Sequence, residues 1–170
     1  GRPEIIAVDS SGARLVAFES DGSFKWRSGN LESINWGAPA IADLDADGTP
    51  EIVIGRHVLD STGTLLWTGT GGTSSGGNVG PLSLVSDVNL DGTPDVVAGN
   101  TVYDAAGAIQ QRNAGLPDGY NAVADFDGDS LAEIVLVAKG AVWLMSYTIH
   151  LKWSPGSIPR FFSQMRRATE

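Results

Sequence analysis

The chain of 170 residues contains no cysteine, which excludes disulfides, thiolate metal sites and a cysteine nucleophile. Positive charge is scarce. Eleven basic residues against twenty acidic ones leave a formal charge of −9, so a nucleic-acid backbone is not an expected partner. Long hydrophobic runs are missing too: the longest, around Ile134 to Met145, is interrupted by Lys139 and Gly140, and no membrane span is expected. His57 and His150 are the only histidines, each at the edge of an apolar run, and both read as surface or hairpin residues. Gly1 opens the chain without a charged-then-apolar leader, so a signal peptide is expected to have been removed or to lie outside it.

What is abundant is glycine, at 22 residues, beside 8 prolines and 42% apolar residues. The apolar content excludes disorder as the main reading, and one domain with a real core fits the length. So much glycine fits a turn-dense all-β chain better than helices. No window of a dozen residues keeps a helical period unbroken by glycine or proline.

Internal repeats organise the chain. DLDADGTPEIVIG begins at Asp43, DVNLDGTPDVVAG at Asp87 and DFDGDSLAEIVLVA at Asp125. A headless copy, GRPEIIAV, opens it at Gly1. A second landmark follows each copy: an acid, then glycine three positions on, then often tryptophan four beyond that. It recurs as Glu19/Gly22/Trp26, Asp60/Gly63/Trp67 and Asp104/Gly107/Gln111. The fourth copy keeps only the frame, as Ser146/Ile149/Trp153.

Four units of about 42 residues result, near 1–28, 36–70, 81–112 and 119–154. In each, an apolar run enters the acidic loop (Ala40 to Ala42, Leu84 to Ser86, Ala122 to Ala124). A β-branched run leaves it (Glu51 to Gly55, Asp95 to Gly99, Glu133 to Ala138), and a glycine-turned hairpin follows. Three or four short strands per unit is the arithmetic of β-propeller blades. The expected fold is therefore all-β, a propeller of about four four-stranded antiparallel units. The glycine-rich stretch from Gly69 to Gly80 lacks the lysine of a phosphate loop and opens no helix, and it reads as a flexible linker between units.

The acidic loops place oxygen donors at positions 1, 3, 5, 7 and 9. A tight loop turns alternate donors inward, and calcium takes six to eight oxygens. The first loop offers Asp43, Asp45, Asp47, the Thr49 carbonyl and Glu51, with Gly48 free to take a positive φ. The second offers Asp87, Asn89, Asp91, the Thr93 carbonyl and Asp95. The third offers Asp125, Asp127, Asp129, the Leu131 carbonyl and Glu133, with Ser130 in the glycine's place. Aspartate and glycine cluster in ordinary turns as well, but three copies in register, each before the same strand, favour a metal. Eleven of the twenty acids lie at these positions, where they would repel one another without a cation. Three calcium ions would bring the formal charge from −9 to about −3. An EF-hand is excluded, because position 12 is Ile54, Ala98 and Leu136 and strands flank the loop.

The run Ala38-Pro39-Ala40-Ile41-Ala42-Asp43 through Asp47-Gly48, then Glu51-Ile52-Val53-Ile54-Gly55, resembles the FG-GAP/VCBS repeat. That repeat builds integrin alpha-chain β-propellers and occurs in many secreted bacterial proteins. The resemblance spans essentially residues 1–154 and implies four-stranded blades with calcium between the first and second strands. The ligands it implies are those already derived. Family propellers commonly have seven or eight blades, so four units suggest half of a larger ring, a small closed ring, or a protomer completed by a neighbour. The basic tail, residues 155–170, either adds a closing strand to the first unit or is a disordered or foreign end.

Function follows at the level of class. The expectation is a non-enzymatic, extracellular, calcium-stabilised module for adhesion or assembly, with a glycan or an extracellular protein as partner. One alternative is a fragment of a secreted polysaccharide-degrading enzyme such as a lyase, but no catalytic constellation outside the calcium loops supports it. Another is a subunit of a surface fibre that self-associates through open blade edges. The five tryptophans, Trp26, Trp36, Trp67, Trp143 and Trp153, can stack on sugars, yet their repeating positions favour packing between units. Neither an RGD tripeptide nor an N-glycosylation sequon is present.

Overall fold

A computed structural model of the chain describes residues 4–76, 79–126, 128 and 130–146. Among these residues it is all-β, with fourteen strands in four antiparallel sheets, none closed into a barrel. The first sheet has three strands, β1 (Ile5–Val8), β2 (Leu15–Phe18) and β3 (Phe24–Arg27). The second has β4 (Ala40–Ala42), β5 (Glu51–Ile54), β6 (His57–Leu59) and β7 (Leu65–Thr68). The third repeats that plan with β8 (Leu84–Ser86), β9 (Asp95–Ala98), β10 (Thr101–Tyr103) and β11 (Ile109–Arg112). The fourth contains β12 (Tyr120–Ala124), β13 (Glu133–Ala138) and β14 (Ala141–Ser146). Every sheet is an up-and-down meander in chain order. No helix among the described residues is long and apolar enough to cross a membrane.

The sheets pack face to face in sequence. Leu15 of the first meets Ile52, Ile54 and Leu59 of the second. Val53 and Val58, on the second sheet's other face, meet Val96, Ala98 and Tyr103 of the third. Val97 and Val102 then meet Ile134, Leu136 and Met145 of the fourth. Strands β5 and β9 are thus covered on both faces, and every residue in them is buried. This is why they read as continuous apolar runs rather than as an alternation. The segments entering β4 and β8 lie side by side: the Ala38 N–H donates to the Pro81 carbonyl at 2.7 Å, and Ser83 returns a bond to the Ala38 carbonyl at 3.1 Å.

The acid–glycine–tryptophan landmark now has a mechanical meaning. Asp60 accepts bonds from the Thr62 and Thr64 N–H groups (2.8 and 2.9 Å) and so closes the β6–β7 hairpin, with Gly63 at φ 84°. Asp104 does the same for the β10–β11 hairpin, with Gly107 at φ 83°. The tryptophan of the preceding sheet then latches onto that turn. Trp26 Nε1 donates to the Ser61 carbonyl at 3.1 Å, and Trp67 Nε1 donates to the Ala105 carbonyl at 2.9 Å. Each ring lies so close to the turn glycine that an added Cβ would sit 2.5 Å from Trp26 at Gly63 and 2.7 Å from Trp67 at Gly107. Packing between sheets, not sugar stacking, occupies these two rings.

Three expectations need correction. The strands leaving the acidic loops stop at Ile54 and Ala98, one residue short of the sequence reading, because Gly55 and Gly99 turn to positive φ in the tight hairpins that follow. His57 is a hairpin residue, paired with Ile54 across the β5–β6 turn, but it is buried rather than on the surface. Its ring nitrogens lie 2.9 Å from the Thr68 hydroxyl and 2.9 Å from the Glu32 carbonyl. The glycine-rich stretch is not a free linker: Gly71 N–H donates to the Tyr103 hydroxyl at 2.5 Å and Gly72 N–H to the Thr101 hydroxyl at 3.0 Å. Its glycines let backbone approach the third sheet where a Cβ would collide with Tyr103, Thr101 or the Ala98 carbonyl. His150, Trp153 and the tail 155–170 lie outside the described residues.

Candidate metal centre

Each acidic loop bridges the first two strands of its sheet. Asp43 follows β4 and Glu51 opens β5, paired in register with Ala42. Asp87 and Asp95 bracket the second loop, with Asp95 opposite Ser86. Asp125 and Glu133 bracket the third, with Glu133 opposite Ala124. The acid at position 9 is thus the first residue of a core strand, and Glu51, Asp95 and Glu133 are all buried.

One hydrogen-bond scheme builds the loops. The buried acid receives the N–H of position 2: Leu44 to Glu51 at 2.8 Å, Val88 to Asp95 at 3.1 Å, Phe126 to Glu133 at 2.8 Å. The acid at position 1 receives the N–H of position 6, from Gly48, Gly92 and Ser130, each at 3.0 Å. In the first two loops it also takes the N–H of position 5, Asp47 or Asp91, at 3.1 Å. Position 5 in turn receives the N–H of position 7, Thr49 at 2.7 Å and Thr93 at 2.9 Å. With its N–H groups turned onto carboxylates, the loop backbone encircles the acids.

Two residues per loop hold a left-handed backbone. Position 6 is the expected one, Gly48 at φ 88° and Gly92 at φ 92°. Ser130 keeps that conformation at φ 75° although it is not a glycine. Position 4 is the second: Ala46 at φ 60°, Leu90 at φ 58° and Gly128 at φ 79°. Left-handed backbone at alanine and leucine is uncommon and costs free energy. Sequence reasoning missed it, because neither residue advertises a positive φ.

The first loop gathers the carboxylate oxygens of Asp43, Asp45 and Glu51 within 4.8 Å of one another. A calcium ion sits 2.3–2.6 Å from each ligand, so oxygens sharing one lie up to roughly 5 Å apart. The donor set fits. Asp47 lies outside that converging group. Burial, followed by the charges of Asp45, Asp47 and Asp43, pushes the Glu51 carboxyl above its usual range against the opposing Leu44 N–H.

The second loop is arranged differently. Position 3 is Asn89, whose amide nitrogen donates to Asp91 at 2.9 Å and to the Gln110 side chain at 3.2 Å. Gln110, reaching in from β11, donates to the second oxygen of Asp95 at 3.1 Å. Burial, with the charges of Asp91 and Asp87, pushes Asp95 up to about 6. Asp91 is held below the usual carboxylate range, first by the Thr93 hydroxyl and N–H. Asp127 and Asp129 of the third loop lie outside the described residues, and Leu131 follows Ser130 just before β13.

Residues 1–54 match the FG-GAP-like repeat. The resemblance drawn from the first acidic loop is therefore shown over that stretch, which contains the headless copy, Trp26 and the whole Asp43–Glu51 loop. The fold is similar to that in the crystal structure of the V. cholerae biofilm matrix protein Bap1, with a TM-score of 0.69 and 24% identity. The likeness covers 88% of this chain and 25% of that one. The chain thus spans about a quarter of the length of the protein it matches. A comparison with curated protein sequences returned no match.

Around the acidic loops, the sequence reading overlooked the residues that seat them. Leu44 and Val88, at position 2, are fully buried and plug the loop into the core. The available signal was an apolar residue after the first aspartate in every copy. It also overlooked Asp118, whose carboxylate accepts the N–H groups of Thr73 (3.0 Å), Ser74 (3.2 Å) and Gly119 (3.0 Å) and the Thr73 hydroxyl. Ser74 lies in a Gly72-Thr73-Ser74-Ser75-Gly76 run that has the spacing of a nucleophile elbow. Its hydroxyl is buried, however, and donates to the Leu82 carbonyl at 2.8 Å. That serine ties the linker to the third sheet.

Proposed function

We propose that this chain is a non-enzymatic, extracellular module for adhesion or matrix assembly, a segment of β-propeller stabilised by calcium. The convergence of Asp43, Asp45 and Glu51 carries the calcium reading. Three loops with one hydrogen-bond scheme extend it to about three ions per chain. In the first, Asp43, Asp45, Asp47, the Thr49 carbonyl and Glu51 would hold the ion, and in the second Asp87, Asn89, Asp91, the Thr93 carbonyl and Asp95. The third would use Asp125, Asp127, Asp129, the Leu131 carbonyl and Glu133. The ion's role is structural: it neutralises carboxylates crowded at the mouth of a core strand and ties two strands together. Millimolar extracellular calcium suits such sites.

The propeller reading is supported by serial face-to-face packing of meandering sheets whose entering segments run side by side. The extracellular reading is supported by the FG-GAP-like match and by the fold shared with a biofilm matrix protein. Partners of the whole assembly would be a glycan or an extracellular protein. The deciding experiment is a native mass spectrum in calcium and again after chelation. Three ions per chain, lost on chelation, are expected. A chain that binds no calcium overturns the reading.

A further inference from the structure

Charge is divided between the two ends of the strands. Because every sheet is an up-and-down meander, the acidic loops and the β2–β3, β6–β7 and β10–β11 hairpins lie at one end. The β1–β2, β5–β6, β9–β10 and β13–β14 turns, with the segments linking the sheets, lie at the other. Among the described residues, this second end carries Arg14, Arg27, Arg56, Arg112 and Lys139, against Asp9, Glu32 and Asp118. The Asp118 carboxylate is engaged by backbone N–H groups, and Asp9 lies 4.0 Å from Arg27. A chain of formal charge −9 thus keeps one cationic end.

Trp36 stands at that end, 78% exposed and outside the repeating tryptophan positions. Its backbone takes φ 60°, as does Ser33 three residues earlier. Left-handed backbone at so bulky a residue costs free energy, and the loop is braced to hold it. Leu31 and Ile34 anchor it in the core, and the Gly37 N–H donates to the Ile34 carbonyl at 2.8 Å. On one side the His57 ring meets the Glu32 carbonyl; on the other a Cβ at Gly80 would sit 2.2 Å from the Asn35 carbonyl. Ser33 and Asn35, beside the ring in sequence, are exposed. Leu82, paired with Ala38, and Val79 are each 49% exposed and continue the apolar surface on the neighbouring segment. This exposure does not come from a chain end. Trp36 lies between the first and second sheets, and a further sheet would stack on an outer face, not on the strand ends.

Arg56, in the turn against this loop, has donors to spare. Its Nη1 reaches the Gly71 carbonyl at 3.3 Å and its Nη2 the exposed Glu32 carboxylate at 3.5 Å. Its buried Nε finds no partner among the described residues. A guanidinium so loosely engaged suits a second carboxylate, which it can take through two parallel bonds. A tryptophan ring receives the C–H face of a sugar, and amides and hydroxyls around it receive the sugar's hydroxyls. We propose that this end of the sheets binds an acidic polysaccharide, with a sugar ring on Trp36 and a uronate carboxylate on Arg56. Charge complementarity with the remaining cations carries the polymer along the surface. The proposal rests on the adhesion reading, whose glycan partner it specifies, and is independent of calcium occupancy.

The test is biolayer interferometry of the full chain, in calcium, on end-attached hyaluronan and oligogalacturonate, two polyuronates of different linkage. The same polymers with their carboxyls reduced to alcohols, and polyglutamate, serve as comparisons. Wild-type chain is expected to bind the polyuronates, more weakly as salt rises, and to bind the reduced polymers and polyglutamate about tenfold more weakly or less. Trp36→Ala should weaken binding about five- to tenfold and Arg56→Gln about tenfold. Unchanged melting temperatures are the folding control. If Arg56→Gln melts early, Arg56→Lys, which keeps the charge without the fork, should still weaken binding. The proposal is overturned by no binding to either polyuronate, by equal binding to polyglutamate, or by binding that the variants retain. Equal binding to the reduced polymers also overturns it, yet leaves a module that adheres to neutral glycans. Calcium counted by mass spectrometry on the same samples reports separately on the metal reading.

Discussion

The first and second acidic loops share a backbone, a hydrogen-bond scheme and a place in their sheets, yet they treat the central charge in opposite ways. The first concentrates it, with carboxylates at all four side-chain positions and three of them converging. The second dilutes it, because Asn89 replaces one carboxylate and Gln110 crosses from β11 to bond both Asn89 and Asp95. Repetition of a motif thus preserves the cradle more faithfully than its contents. On the proposed reading a cation would answer the converging carboxylates of the first loop, whereas the second meets part of its charge with amides.

Asp45→Ala gives the largest expected effect. It removes one of the converging carboxylates and should delete one ion from the mass spectrum. A site held at a hundred times its Kd contributes about 2.7 kcal/mol, so the melting temperature in calcium should fall by roughly 5–10 °C for a chain of this size. Asp91→Ala should cost less, because the second loop begins with fewer carboxylates. In chelator Asp45→Ala should melt close to wild type, and Asp91→Ala should lose only what its Thr93 and Asn89 bonds contribute, less than it loses in calcium. Equal losses with and without calcium would sink the metal assignment for both loops.

How much of this was legible can be judged residue by residue. The strands Ala40–Ala42, Leu84–Ser86 and Glu133–Ala138 are where their apolar and β-branched runs placed them, because repetition supplies independent copies of one weak signal. The acids of the first loop were singled out for the same reason, and three of them, Asp43, Asp45 and Glu51, come together. What escaped was everything set by contact between units. Gln110 belongs to a hairpin fifteen residues beyond Asp95. The Gly69–Gly80 stretch looks like a linker in composition and behaves as a packed strap, because glycine serves close approach as readily as freedom. His57 sits on a strand too short to reveal a pattern, and only the fold shows that it is buried.

Asp95→Asn is expected to split the two conditions in sign. The native carboxylate is buried against Asp91 and Asp87, and its charged form is disfavoured. Removing the charge should stabilise the metal-free protein by about 1 kcal/mol, a figure reduced for solvent screening, while weakening calcium binding at that loop. Chemical denaturation at neutral pH, with and without chelator, reads both arms. Destabilisation in chelator would mean that the Val88 and Gln110 bonds need the charge more than burial opposes it.

Gln110→Ala isolates what the second loop has that the first lacks. It releases the second oxygen of Asp95 and one bond to Asn89, so calcium should bind that loop about two- to fivefold more tightly, on the order of the 0.5–1 kcal/mol of one neutral hydrogen bond. The first loop should not respond. A weaker second site in calorimetric titration would instead make Gln110 a support that orients Asp95 for the ion.

The smallest effect separates the loop acids from the buried His57. In metal-free protein, Glu51 and Asp95 are raised, so their protonation favours the fold and stability should increase as pH falls through about 6. His57 acts with the opposite sign. Burial lowers it below 6.5, with Arg56 adding to that effect and the Glu32 carbonyl and carboxylate opposing it. Below 6.5 the unfolded chain takes up a proton that the folded ring resists. His57 therefore contributes fully above that value, and its contribution is lost as pH falls toward its folded value. His57→Gln keeps a side chain able to bond Thr68 and the Glu32 carbonyl but cannot titrate. In chelator, its stability between pH 5 and 7 should gain more on acidification than wild type does. Superimposable profiles would show that His57 does not titrate in this window, leaving the loop carboxylates as the source of the acid response. A smaller gain in the variant would reverse the sign assigned to the histidine.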